Sequence, residues 1–99
     1  MTFQEHDLDL AVQAYVDLLK ADFTKWGSNQ PFNVALKDGS KYIKVSIGGG
    51  AHSFIVKQNG KKFKVGDVLK AASGAAPATN FARGNVITQK YAGLSWAGL

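Results

Sequence analysis

Apolar residues recur at helical spacing near the start of the chain. Leu8, Val12, Tyr15, Leu19 and Trp26 fall near one face, with Phe23 beside them and Ala11, Val16 and Leu18 widening it. The spacing predicts a helix over about residues 3–26. Thr2-Phe3-Gln4-Glu5 has the form of a capping box, Asp7 is a second possible N-cap, and Gly27 suits the position just past the helix. The acidic side chains gather in the early turns, where the helix dipole favours them. Such a stripe most simply covers a sheet.

Beyond the connector Ser28-Asn29-Gln30-Pro31 the period changes from that of a helix to that of strands. Phe32, Val34 and Leu36 alternate with Asn33, Ala35 and Lys37. Asp38-Gly39 reads as a hairpin turn, followed by a strand over 41–47 and a glycine loop over 48–50. Residues 52–58 read as a strand, Asn59-Gly60 as a second hairpin signal, and 61–65 as a strand that alternates again. Asp67 to Ala72 fits a short helix capped by Asp67 or a continuation of the sheet, since short apolar runs do not decide the matter. Small residues and Pro77 interrupt regular structure over 73–78. Asn80 to Arg83 reads as one helical turn ended by Gly84, and Val86 to Thr88 as a short last strand. The tail, with Leu94, Trp96 and Leu99, is apolar enough to dock on its own sheet or on a second copy, and a homodimer is expected from it.

The expected fold is therefore one α+β domain: an N-terminal helix packed on an antiparallel sheet of about four strands, with the connector 73–83 crossing an end of the sheet. The expected core is Leu8, Val12, Tyr15, Leu19, Trp26, Val34, Tyr42, Val45, Phe54, Val56, Phe63, Val68 and Leu69.

Composition adds limits. Apolar residues make up 45% and charged residues 19%, which is globular rather than disordered. The absence of cysteine excludes a disulfide scaffold, thiolate metal sites and cysteine nucleophiles, and fits a reducing compartment. No apolar run approaches the ~20 residues that span a bilayer, and the acidic N-terminal stretch is unlike a signal peptide. A cytosolic protein without a membrane partner is the expectation. The net charge of +5 conceals a division. Glu5, Asp7, Asp9, Asp17 and Asp22 face Lys20 alone in residues 1–22, whereas residues 23–99 hold eleven lysines and arginines against Asp38 and Asp67. A basic body attracts polyanions such as nucleic acid; it also matches an acidic helix internally.

The stretch from Gly66 to Val86 carries a resemblance. Gly39-Ser40-Lys41-Tyr42-Ile43-Lys44-Val45, Ser53-Phe54-Ile55-Val56, Gly66-Asp67-Val68-Leu69-Lys70-Ala71-Ala72, Pro77-Ala78 and Arg83-Gly84-Asn85 stand in the order seen in an uncharacterised family of small proteins encoded by tailed bacteriophages. The chain resembles that family over roughly residues 39–87. Many relatives carry Trp after the Ala-Ala-Ser/Gly step, where this chain has Gly74. The resemblance implies a phage origin and work in the cytoplasm of the infected bacterial host. It favours strand over helix for 67–72, and it transfers no activity.

Candidate chemistry is sparse. His6 and His52 lack a recognisable nucleophile or base partner, and His52 reads as structural or surface. His6, Asp7 and Asp9 do not converge as metal ligands on a helix, and capping explains those acids better. Gly48-Gly49-Gly50 lacks the Gly-Lys-Ser/Thr ending of a phosphate loop, and no cofactor is implied. The lysines carry more. Lys62 and Lys64 share parity on a strand, and neighbouring strands gather Lys57, Lys62, Lys64 and Lys70 into one positive patch. Arg83, the sole arginine, either contacts a partner beside that patch or pins the connector to Asp17 or Asp22. Two functions follow: a small non-enzymatic nucleic-acid-binding protein used during infection, with Lys57, Lys62, Lys64, Lys70 and Arg83 as contacts, or a binder that modulates a host protein. An enzyme stands third.

Overall fold

A computed structural model describes residues 5–25 and 32–91, with side chains in the helix described from Leu8 onward. Helix α1 spans Glu5–Lys25 and is followed by six strands: β1 Val34–Asp38, β2 Tyr42–Ile47, β3 Gly50–Val56, β4 Asp67–Lys70, β5 Gly84–Asn85 and β6 Lys90–Tyr91. The strands form one antiparallel sheet in the order β1-β2-β3-β4-β5-β6. The α+β architecture matches the sequence reading, with six strands in place of about four. The capping box, Trp26, Gly27 and the apolar tail, with the dimer expected from it, lie outside the described residues. Asp7 is inside the helix rather than capping it.

Helix α1 buries Leu8, Val12, Tyr15, Val16, Leu19 and Phe23, the stripe that its spacing predicts. Five of these join Ile43, Val45, Ile55, Val68 and Val86 in the main core on one face of the sheet. The opposite face carries a second cluster of Phe54, Val56 and Leu69, with Tyr42, Phe63, Ala71 and Ala82 packed against it. Both faces of β3 are thus covered, which is why residues 52–56 read as a continuous buried run rather than an alternation.

The cover on the second face is the connector between β4 and β5. It turns at residues 72–76, where Ala72 and Ser73 donate their N–H groups to the Ala76 carbonyl, and then returns along β4. Ala71 bridges Pro77, Ala78 N–H donates to the Lys70 carbonyl and Arg83 N–H to the Val68 carbonyl, each of these two bonds at 2.7 Å. Lys44 on β2 donates to the Gly74 carbonyl, so the turn reaches across β3 instead of passing only an end of the sheet.

Four local expectations are corrected. Residues 61–65 are not a strand, because their backbone donors and acceptors are used in turns. Gly60 N–H donates to the Phe63 carbonyl, Val65 N–H to Asn59 Oδ1 and Lys64 N–H to Asp67 Oδ2. Asn59-Gly60 therefore lies within a ten-residue connection rather than a two-residue hairpin. Asn80–Arg83 forms no helical turn, and Val86–Thr88 belongs to the turn between β5 and β6. The residues Asp67–Lys70 are strand. At the β2–β3 turn, Gly48 and Gly49 have φ of 61° and 86°, the paired positive values that a tight hairpin requires.

Candidate functional site

Strand register decides which charges meet. Lys37 on β1 stands directly opposite Lys44 on β2. Lys44 in turn stands opposite Phe54, so both lysines lie on the face of the second cluster, away from α1. Two adjoining clefts open there. One, of about 370 Å3, has Lys37, Lys41 and Lys44 around Tyr42 and Phe54, with Gly74 and Ala75 of the connector as its far wall. The other, of about 260 Å3, has Lys41, Lys61 and Lys62 around Tyr42 and Phe63. Lys41 and Tyr42 belong to both, which makes them one groove. Among the described residues, no carboxylate lines either cleft.

The groove is built in a particular way. Tyr42 stands edge-on to Phe54 at 6.1 Å between ring centroids, fixing the floor. Lys44 and Lys62 donate to the Gly74 and Thr79 carbonyls and so tie the connector to its rim. Lys62 also lies 5.5 Å from the Phe63 ring centroid. Lys37, Lys41 and Lys61 are exposed and, among the described residues, have no ion pair. The nearby Asp38 is taken up by Lys57, whose Nζ lies 2.6 Å from Asp38 Oδ1 and donates to the Gly39 carbonyl at 2.8 Å. Asp38 stands opposite Ile43 and lines a separate cleft with Asp9 and Val12 on the α1 side, away from the groove. A directly opposed pair of like charges such as Lys37 and Lys44 costs stability, and an anion bound between them removes the cost.

Of the five contacts expected from sequence, only Lys62 lies in the groove. Lys57 is occupied with Asp38. Lys64 is exposed, but its segment is not a strand and the parity argument fails. Lys70 stands opposite Ser53 and so belongs to the α1 side of the sheet. Arg83 makes no ion pair with the helix among the described residues. Its Nη1 donates to the Phe81 carbonyl at 3.0 Å, and its Cζ lies 3.6 Å from the Phe81 ring centroid. Sequence reasoning missed Lys37, Lys41, Lys44 and Lys61 as contacts. An Asp38-Gly39 two-residue hairpin would pair Lys37 with Ser40; the observed loop is longer and pairs Asp38 with Ile43, so the pattern gave no clue to the meeting of Lys37 and Lys44.

A second polar group sits in the core. Opposite the step from Val45 to Ser46, β3 has one extra residue, His52, between Ala51 and Ser53. This bulge turns His52 and Ser53 to the same side, where both are buried. Ser53 Oγ lies 2.8 Å from the Tyr15 hydroxyl and 3.0 Å from His52 Nδ1. Burial pushes the Tyr15 hydroxyl well above the ordinary tyrosine range, while the bond to Ser53 opposes the shift. Burial also raises Tyr91, whose ring centroid is 5.6 Å from that of Tyr15. Ser53 has no exposed surface, so the trio is a satisfied polar joint between α1 and β3 rather than a nucleophile open to substrate.

Among the described residues no three His, Asp or Glu side chains gather as a metal site, and no helix is long and apolar enough to cross a membrane. No family model matches the chain, and neither does any curated protein or solved structure.

Proposed function

We propose that this chain is a small non-enzymatic protein that binds nucleic acid along the Lys37–Lys62 groove. The observation that carries the reading is the gathering of five lysines around Tyr42 and Phe63 with no carboxylate among the described lining residues. Ammonium groups along such a channel track a phosphate backbone, and release of counterions supplies affinity without base-specific contacts. Lysine is a point charge on a flexible stem, so the groove suits binding of broad sequence range. With the phage resemblance of residues 39–87, the setting is the cytoplasm of an infected bacterium.

A second reading, a binder of a host protein, is favoured by a different surface. Leu10 and Leu36 are 64% and 47% exposed, and β1 is an edge strand of the sheet among the described residues. An NMR titration with a short single-stranded oligonucleotide separates the two. The nucleic-acid reading expects amide shifts at Lys41, Tyr42, Lys44 and Phe63. A titration without shifts, or with shifts confined to α1 and β1, counts against it.

A further inference from the structure

The return of the connector along β4 is uneven. Ala78 meets Lys70 and Arg83 meets Val68, so five steps of chain on one side answer two on the other. The surplus, residues 79–82, is thrown out as a short excursion with both ends fixed by backbone bonds of 2.7 Å. The excursion is held from within as well. Lys62 donates to the Thr79 carbonyl, and Ala82 packs on the second cluster. Phe81 stands on it with 55% of its surface exposed. The Arg83 guanidinium lies over the Phe81 ring at 3.6 Å from its centroid and donates to the Phe81 carbonyl. A large exposed apolar ring on a backbone fixed at both ends, backed by a cation, serves no purpose in the core. It has the geometry of a ready-made stacking surface. Two residues of chain reach at most about 7 Å, so Phe81 lies at the Lys62 end of the groove.

We infer that Phe81, backed by Arg83, is a stacking platform for an unpaired base of a strand whose phosphates run in the lysine groove. This rests on the nucleic-acid reading and narrows it: the ligand is single-stranded, because a paired base keeps both faces within its own helix. Each stacked base contributes severalfold or more to affinity, since removing an aromatic partner costs about 1–3 kcal/mol in comparable single-strand binders.

The test uses fluorescence anisotropy with a short oligothymidylate and an abasic oligomer of the same length, which carries the same phosphates without bases. The parent protein is expected to bind the oligothymidylate at least about five-fold more tightly. Phe81→Ala is expected to abolish the difference while leaving abasic affinity unchanged, and Phe81→Trp to keep it. Thermal melting of both variants confirms that they fold. Equal binding of both oligomers by the parent overturns the platform and leaves the groove standing. An equal loss for both oligomers in Phe81→Ala also overturns it. Failure of the parent to bind either oligomer overturns groove and platform together.

Discussion

The Tyr15 hydroxyl and Ser53 Oγ lie 2.8 Å apart in the core, joining the helix to the central strand at a point where neither residue has exposed surface. Tyr15→Phe keeps the ring and removes this bond. Ser53 retains His52 as a partner at 3.0 Å, so the orphaned group is only partly unsatisfied. The expected cost is about 1 kcal/mol in urea unfolding, against about 3–5 kcal/mol for Tyr15→Ala, which also opens a cavity.

Alkaline pH acts on the same residue. The folded state raises the Tyr15 pKa through burial, while the unfolded chain releases the proton near the ordinary value of about 10. Stability from the protonated form is fully present below about pH 10 and falls as pH rises through and beyond that value. The slope expected for this one group is about 1.4 kcal/mol per pH unit. Unfolding free energies measured between pH 9 and 12 check the sign. Tyr15→Phe should flatten the decline, leaving the part due to Tyr91.

Asp67, Gly84 and Asn85 hold the β4–β5–β6 corner of the sheet together and lie outside the lining of the groove. Asn85 Nδ2 donates to Asp67 Oδ1 and the Val65 carbonyl, and Asn85 Oδ1 accepts the Ile87 and Thr88 N–H groups. Asp67 Oδ2 accepts Lys64 N–H. A Cβ on Gly84 would come within 2.6 Å of the Lys90 carbonyl oxygen, so β5 and β6 pair closely because that position lacks one. Asn85→Ala should therefore lower stability by about 2–3 kcal/mol in denaturant unfolding. Oligonucleotide affinity should be unchanged in the folded fraction.

The helix and the first hairpins were legible because periodicity reports burial on one face. Leu8, Val12, Tyr15 and Leu19 are all buried as their spacing requires. Asp67–Lys70 was ambiguous from pattern alone, because four residues are too few to define a period. The strand expected at 61–65 failed for another reason. Asn59 and Asp67 side chains take backbone N–H groups that a ladder would need, and alternation does not report such competition. The lysine site was misplaced with it. Parity put Lys64 and Lys70 beside Lys62, whereas register puts Lys70 across from Ser53 and brings Lys37 to Lys44. Two-residue strands such as Gly84–Asn85 leave no pattern to find.

Ligand binding should also be visible as stability. The opposed pair Lys37 and Lys44 is relieved by an anion between them, and any ligand of the folded state stabilises it by mass action. An oligonucleotide at about 100 times its Kd should add about 2.7 kcal/mol, read as a rise in Tm on the order of 10–20 °C. Lys37→Gln should raise the Tm of the free protein slightly and reduce the ligand-induced rise.

The groove itself is tested most directly by the salt dependence of oligonucleotide binding in two triple variants of equal charge change. Lys37→Gln/Lys41→Gln/Lys61→Gln removes exposed lysines of the groove. Lys20→Gln/Lys70→Gln/Lys90→Gln removes three exposed lysines outside its lining. Each phosphate contact with a single strand contributes about 0.7 to the slope of log K against log salt. The groove variant should lose about two units of slope and the control variant close to none. Equal losses in the two variants, or binding by the parent that does not change with salt, would contradict a phosphate-binding groove.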